Sequence, residues 1–305
     1  MTPLITAPMR FLGLLAIALA LASCQSPVTA TYAGDDQIES FPQANFNRYY
    51  RIYVPERREP GPVAPLVLAF HGVGQNSKEM RASSGLDQAA EQYGFIVVYL
   101  QAAMGAWDVF GDLSELGLDE IGYVREVIDR VTARYVVDRH RIIAVGLSNG
   151  GVFSQRLGCV LSNRIVGFVS VAATMPHRLA EECQPDHRVS ALYLVGTADT
   201  QFPIEGSNVL RSLDEAMDLW ARVDGCDGRR ERSAWPDLTA DDTRVYWSRY
   251  KGCDGGTRVW LDSIVGGGHT WPDAAIPASP SWGPTSHDVS ANAEIARFLD
   301  GLKQQ

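Results

Sequence analysis

Arg141-Ile142-Ile143-Ala144-Val145-Gly146-Leu147-Ser148-Asn149-Gly150-Gly151 is the stretch that decides how this chain is read. Residues 142–145 form a continuous apolar run, the pattern of a strand buried on both faces in a parallel sheet. Beyond Gly151, Val152, Phe153 and Leu157 are apolar at helical spacing. A serine set between two glycines at a strand-to-helix junction is held on a sharp turn, its hydroxyl raised above the sheet edge, and the glycines leave room for backbones to pass. The same five-residue pattern arises by chance in loops. The function of Ser148 therefore turns on whether a base, an acid and a pair of oxyanion-binding amides accompany it.

Outward from this stretch, apolar runs alternate with amphipathic helices. Residues 65–70, 95–100, 142–147, 165–172, 191–195 and 258–265 read as strands, and 48–54 as an antiparallel edge strand. Ile121, Val124, Ile128, Val131 and Tyr135 recur at spacings of three and four, marking a helix that Asp119 can cap. Similar stripes cover 210–223 and 290–302. The alternation predicts a mostly parallel α/β sheet with helices on both faces. The connection 173–189 is too short for a large lid domain.

The amino-terminal segment is set apart from this fold. Arg10 precedes the apolar stretch 11–21, which has the length of a secretory signal and is short for a membrane span. Leu21-Ala22-Ser23-Cys24 is similar to a bacterial lipobox, in which Cys24 is lipidated and becomes the first residue. Plain signal cleavage near Ala22 is the alternative. The expected organisation is a lipoprotein signal peptide over 1–23, a small polar tether over 24–37 and one catalytic domain over 38–305. Export is expected, with anchoring at the cell envelope through Cys24, at the outer membrane in a Gram-negative organism. Without the anchor, the protein would be periplasmic or extracellular. The lipid is the only membrane contact expected.

Removing Cys24 from the five cysteines leaves Cys159, Cys183, Cys226 and Cys253. An even number in an oxidising compartment suggests two disulfides, and sequence neighbours give the simplest pairing, 159 with 183 and 226 with 253. No pair has the two-residue spacing of a zinc site, so no metal is expected. The formal charge is −9 and becomes −10 without Arg10, which argues against nucleic acid as a partner. Nothing in the sequence speaks to oligomeric state.

A serine hydroxyl is a weak nucleophile at neutral pH and needs a histidine oriented by a carboxylate. On a sheet of this kind the acid and the histidine follow the serine, on loops after later strands. Asp199 lies in Gly196-Thr197-Ala198-Asp199, just past the strand 191–195. Glu205 and Asp186 compete for the role. His269 leaves the strand 258–265 through three glycines, and His287 is the alternative base; His71, His140, His177 and His187 come too early. One oxyanion amide is expected from Asn149. The other is expected from Val73 in His71-Gly72-Val73-Gly74-Gln75-Asn76, with His71 orienting that loop. Trp107, Trp271 and Trp282 are candidates to stack on a substrate, although tryptophan is more often core.

Phe70-His71-Gly72-x-Gly74-Gln75-Asn76, Gly146-Leu147-Ser148-Asn149-Gly150-Gly151, Gly196-Thr197-Ala198-Asp199 and Gly266-Gly267-Gly268-His269-Thr270-Trp271-Pro272 resemble the secreted esterases grouped as polyhydroxybutyrate depolymerase-like and feruloyl esterase-like proteins. The resemblance extends through Gly283-Pro284-Thr285-Ser286 to the final helix. It implies an α/β-hydrolase fold and the triad Ser148, Asp199 and His269, and it supports both cysteine pairings; the chemistry of such a triad needs no cofactor. Val73 departs from the cysteine that many relatives carry, a change that a backbone donor survives.

The function expected is carboxylic ester hydrolysis on feruloyl or acetyl esters of polysaccharide or on polyhydroxyalkanoate oligomers, so the partner is an ester, polymeric or small. A serine peptidase on the same fold and a non-catalytic, polymer-binding surface lipoprotein are the competing readings.

Overall fold

A computed structural model describes residues 37–56 and 63–302. The expected signal segment, Cys24 and the tether as far as residue 36 lie outside the described residues. Strands β1 (Gln37–Gln43), β2 (Phe46–Tyr53), β3 (Ala64–Phe70), β4 (Ile96–Leu100), β5 (Val137–Leu147), β6 (Gly167–Val171), β7 (Ser190–Gly196), β8 (Arg230–Ala234), β9 (Arg244–Tyr250) and β10 (Val259–Val265) form one sheet. Its order is β1-β2-β4-β3-β5-β6-β7-β10-β9-β8. The six strands from β4 to β10 pair in parallel, and each flank ends in antiparallel strands.

The central strands are apolar because both of their faces are covered. Val67, Val97, Ile143, Val169 and Leu192 point into a core with residues of α1 (Ser77–Ser84), α2 (Leu86–Tyr93) and α7 (Ala291–Gly301). On the opposite face, where α4 (Asn149–Val160) and α6 (Leu213–Val223) lie, Phe168 meets Trp220 of α6 and Phe70 meets Phe153 of α4. Fully burying a side chain of this size stabilises by about 1.5–3 kcal/mol, so the two cores dominate the fold. Helix starts are set by short polar side chains: Asn76 with Glu79, and Ser212 with Glu215, form capping boxes. Asp119 caps α3 (Glu120–Arg134) by accepting from Gly122 N at 2.7 Å.

Two expectations need correction. The strand expected over 48–54 is antiparallel, but β1 pairs along its outer side, so it is not the edge. The strands β1, β8 and β9 were not foreseen. β8 is short and largely exposed, and β1 alternates exposed and part-buried positions with Phe41 its one buried residue, which leaves little apolar signal to read. Cys159–Cys183 joins α4 to the end of α5 (His177–Glu182), and Cys226–Cys253 joins the segment after α6 to the turn after β9. Both are the neighbour pairings.

Candidate active site

Ser148 sits where β5 turns into α4, with φ 57° and ψ −122°. This left-handed conformation is costly for a residue with a Cβ and persists only where the surroundings enforce it. The enforcement is visible at the flanking glycines. A Cβ on Gly146 would lie 2.1 Å from the Gly150 carbonyl, and one on Gly150 would lie 2.2 Å from the Phe70 carbonyl oxygen. The Ser148 amide donates to the Val171 carbonyl at 2.9 Å, which fixes the turn against β6.

Because β5, β6, β7 and β10 pair in parallel one after another, their carboxyl ends share one edge of the sheet. Ser148, Asp199 and His269 each follow one of these strands. Asp199 is buried. Its Oδ1 accepts from the amides of Gln201 at 2.8 Å and Phe202 at 3.0 Å, and its Oδ2 meets His269 Nδ1 at 2.8 Å. Burial pushes its carboxyl up, but the His269 hydrogen bond and the two amides outweigh burial and hold it below the ordinary carboxylate range. An ionised Asp199 places the imidazole proton on Nδ1 and leaves Nε2 with a lone pair.

The loop that carries His269 is fastened to the loop that carries Asp199. Ala198 N donates to the Gly267 carbonyl at 2.8 Å, and Gly266 N to Thr197 Oγ1 at 3.0 Å. The contact is backbone on backbone: a Cβ on Gly196 would lie 2.2 Å from the Gly267 oxygen. On the other side, His269 N donates to the Trp282 carbonyl at 2.6 Å and Gly268 N to the Pro284 carbonyl at 2.8 Å. The glycine run before His269 thus serves close approach on two sides. Phe202 lies parallel to the imidazole with ring centres 5.9 Å apart, and Trp282 meets it edge-on at 5.8 Å.

The carboxylate paired with His269 is Asp199 rather than Glu205 or Asp186. His287 is exposed and faces Asp273 Oδ1 at 3.2 Å, outside this cluster. Asn149 opens α4, so its amide is one that the helix itself leaves free, at the positive end of the helix dipole. Val73 lies in the exposed loop after β3. Among the described residues, neither amide is engaged by a protein acceptor.

Two of the three tryptophans are not placed for stacking on a substrate. Trp107 is 3% exposed, with Phe153 stacked on it at 4.9 Å and Phe70 against it at 5.0 Å. Trp271 is equally buried and belongs to the core beneath α7. Their surfaces are already filled by protein, the usual fate of a large aromatic ring. Trp282, half-buried beside His269, remains at the site. Phe202 was overlooked in the sequence. Its signal was its position three residues after Asp199, where an aspartate side chain accepts from the backbone ahead of it. Among the described residues no cluster of His, Cys, Asp and Glu is arranged to hold a metal ion.

No family model matches the chain. It is 29% identical over 282 residues to NocK of Nocardia uniformis subsp. tsuyamanensis, a protein named as an esterase, covering 85% of this chain and 80% of that one. To feruloyl esterase B of Piromyces equi it is 27% identical over 228 residues, covering 70% of this chain and 41% of the relative, so the chain spans under half of that protein. Among solved structures, an acetyl xylan esterase from Aspergillus awamori superposes with a TM-score of 0.61 at 15% identity, covering 87% of this chain and 99% of that one. That likeness is one of fold. The chain is similar in sequence to esterases, and its mostly parallel sheet with helices on both faces is that of an α/β-hydrolase.

Proposed function

From this kinship with esterases on an α/β-hydrolase fold, we propose that the protein is a serine carboxylic ester hydrolase whose nucleophile is Ser148. The observation that carries the proposal is the buried His269–Asp199 pair on the sheet edge where Ser148 is held in its strained turn. His269 Nε2 takes the Ser148 proton as Oγ attacks the ester carbonyl. The carbonyl π electrons move onto oxygen, and the amides of Val73 and Asn149 hold that charge. Collapse of the tetrahedral adduct expels the alcohol, which receives the proton from His269 and leaves an acyl-serine. Water then attacks with His269 again as base, releasing the acid and restoring Ser148. Asp199 keeps the imidazole in the productive tautomer and stabilises its cation in both steps. No cofactor or metal enters these steps.

The substrates proposed are feruloyl or acetyl esters of polysaccharide, or hydroxyalkanoate oligomers. Relatives named for feruloyl and acetylxylan esters support the first two, and one named for poly(3-hydroxyalkanoate) supports the third. Export is supported by the two disulfides, and anchoring through Cys24 by the lipobox pattern. Palmitate labelling that is lost in Cys24→Ser is expected; a Cys24→Ser protein that still labels contradicts the anchor.

The function is tested by incubating the mature protein with nitrophenyl acetate, methyl ferulate, acetylated xylan, hydroxybutyrate oligomers and a peptide amide. Hydrolysis of at least one ester, and its loss by about 10⁴-fold or more in Ser148→Ala, is expected. Activity on the amide alone, or an unchanged Ser148→Ala rate, contradicts the reading.

A further inference from the structure

The two amides of the oxyanion hole come from different parts of the chain, Val73 from the loop after β3 and Asn149 from the start of α4. Their separation and aim must hold to a fraction of an ångström for both to reach one oxygen. A third segment, the loop after β4, touches both. Trp107 donates its indole Nε1–H to the His71 carbonyl at 3.0 Å, two residues before Val73. Its backbone pairs reciprocally with the Asn149 side chain: Trp107 N donates to Oδ1 at 2.7 Å, and Nδ2 donates to the Trp107 carbonyl at 3.3 Å.

The same loop grips the Val73 segment at two more points. Gly74 N donates to the Gly105 carbonyl at 2.9 Å, just past Val73. Ala102 N donates to His71 Nε2 at 3.2 Å, which places the imidazole proton on Nδ1, 2.8 Å from the Gly72 carbonyl. His71 is fully buried, and burial pulls its pKa down, so it stays neutral and keeps this tautomer. Val73 is therefore held from residues on both sides of it. The Trp107 ring cannot swing, because Phe153, one turn into α4, stacks on it at 15° and Phe70 meets its edge at 81°.

We propose that Trp107 is a positioning residue that locks the Val73 and Asn149 amides into one oxyanion hole, through its indole bond to the His71 carbonyl and its backbone pairing with the Asn149 side chain. This rests on the esterase reading of Ser148. The indole is one of the three bonds that join Trp107 to the donor segments, and phenylalanine removes that bond while retaining most of the packing. The hole matters chiefly once the carbonyl oxygen is charged, so a looser hole lowers kcat and leaves KM nearly unchanged.

The test compares wild type, Trp107→Phe, Asn149→Ala, Ser148→Ala and a control, Trp220→Phe, which alters a buried indole on α6. Nitrophenyl acetate kinetics are read beside inhibition by a trifluoromethyl ketone, whose serine adduct carries the oxyanion, with melting temperatures checking the fold. Trp107→Phe is expected to lower kcat by about 10- to 100-fold at constant KM and to weaken ketone inhibition by a similar factor. Trp220→Phe is expected to keep kcat. Asn149→Ala removes the other half of the clamp without touching the core and is expected to act in the same sense, so the proposal remains testable if Trp107→Phe fails to fold. Near wild-type kcat and ketone affinity in a folded clamp variant, with Ser148→Ala inactive, overturn the proposal and leave the esterase reading standing. Ester hydrolysis that survives Ser148→Ala, or is absent from wild type, overturns both.

Discussion

Asp199, on the edge that carries Ser148, and Asp224, at the foot of α6, are each removed from water, yet only Asp224 keeps its proton as pH nears neutrality. Burial dominates at Asp224 and pushes its carboxyl up to about 7. Its Oδ1 accepts from Val189 N at 3.1 Å, and this bond and the nearby Thr257 hydroxyl do not offset burial. Asp199, less deeply desolvated, accepts from two amides and an imidazole, and its pKa falls. The flank of β9 and β10 repeats the lesson. Asp262 and Glu294 share Arg249, at 2.6 and 3.2 Å, yet burial raises both, and repulsion from Asp262 adds to it at Glu294, which rises to about 7. A buried carboxylate is thus no mark of chemistry by itself. What separates Asp199 is shallower burial with three donors and no neighbouring carboxylate, on the sheet edge that carries Ser148.

The comparison is tested most severely at Asp199 itself. Asp199→Asn keeps the size of the side chain but allows the imidazole to adopt the wrong tautomer, and kcat on a nitrophenyl ester is expected to fall by about 10³- to 10⁴-fold. A loss under tenfold would mean that the carboxylate does not set the state of His269. A smaller effect is expected from the bridge just past Asp224. Replacing Cys226 and Cys253 together by serine should cost about 3–4 kcal/mol in denaturant unfolding and leave kcat of the folded protein intact. A drop in kcat there would show that the flank and the edge carrying Ser148 are coupled.

The smallest effect concerns pH. Asp224 has a folded pKa above its reference value of 3.8, so the folded state holds the proton more tightly than the unfolded chain. Its contribution is fully present below about pH 4 and is lost as pH rises through about 7. Asp224→Asn keeps the oxygen that accepts from Val189 and cannot ionise. It is expected to flatten the stability profile between pH 5 and 8 and to be more stable than the wild type at pH 8. An unchanged slope in urea unfolding would place the ionised form of Asp224 in the native state.

The contrast also explains how much of the molecule the chain discloses. Parallel strands buried on both faces write long apolar runs, and Ile142 to Val145 is readable for that reason. The loops that present Ser148, Asp199 and His269 were readable because backbones pass within van der Waals contact there. Only glycine fits at Gly146, Gly150, Gly196 and Gly268. The antiparallel strands β1 and β8 left no such trace, since β8 is largely exposed and polar and β1 buries only Phe41. Trp107 stood among the candidate substrate contacts because its burial depends on Phe70 and Phe153, residues far away in sequence that only the fold brings to it. Phe202 was missed because it is placed by the turn that Asp199 caps. Positions fixed by backbone geometry left a local signature; those fixed by tertiary side-chain contacts did not.

The proposed function rests on Ser148 as a nucleophile activated by His269. The most direct measurement is labelling of the mature protein with a fluorophosphonate at neutral pH, followed by mass spectrometry of its peptides. A single adduct on Ser148, slowed by at least about 10³-fold in His269→Ala, is the expected result. An adduct at another residue, or equal labelling of Ser148 with and without His269, would contradict it.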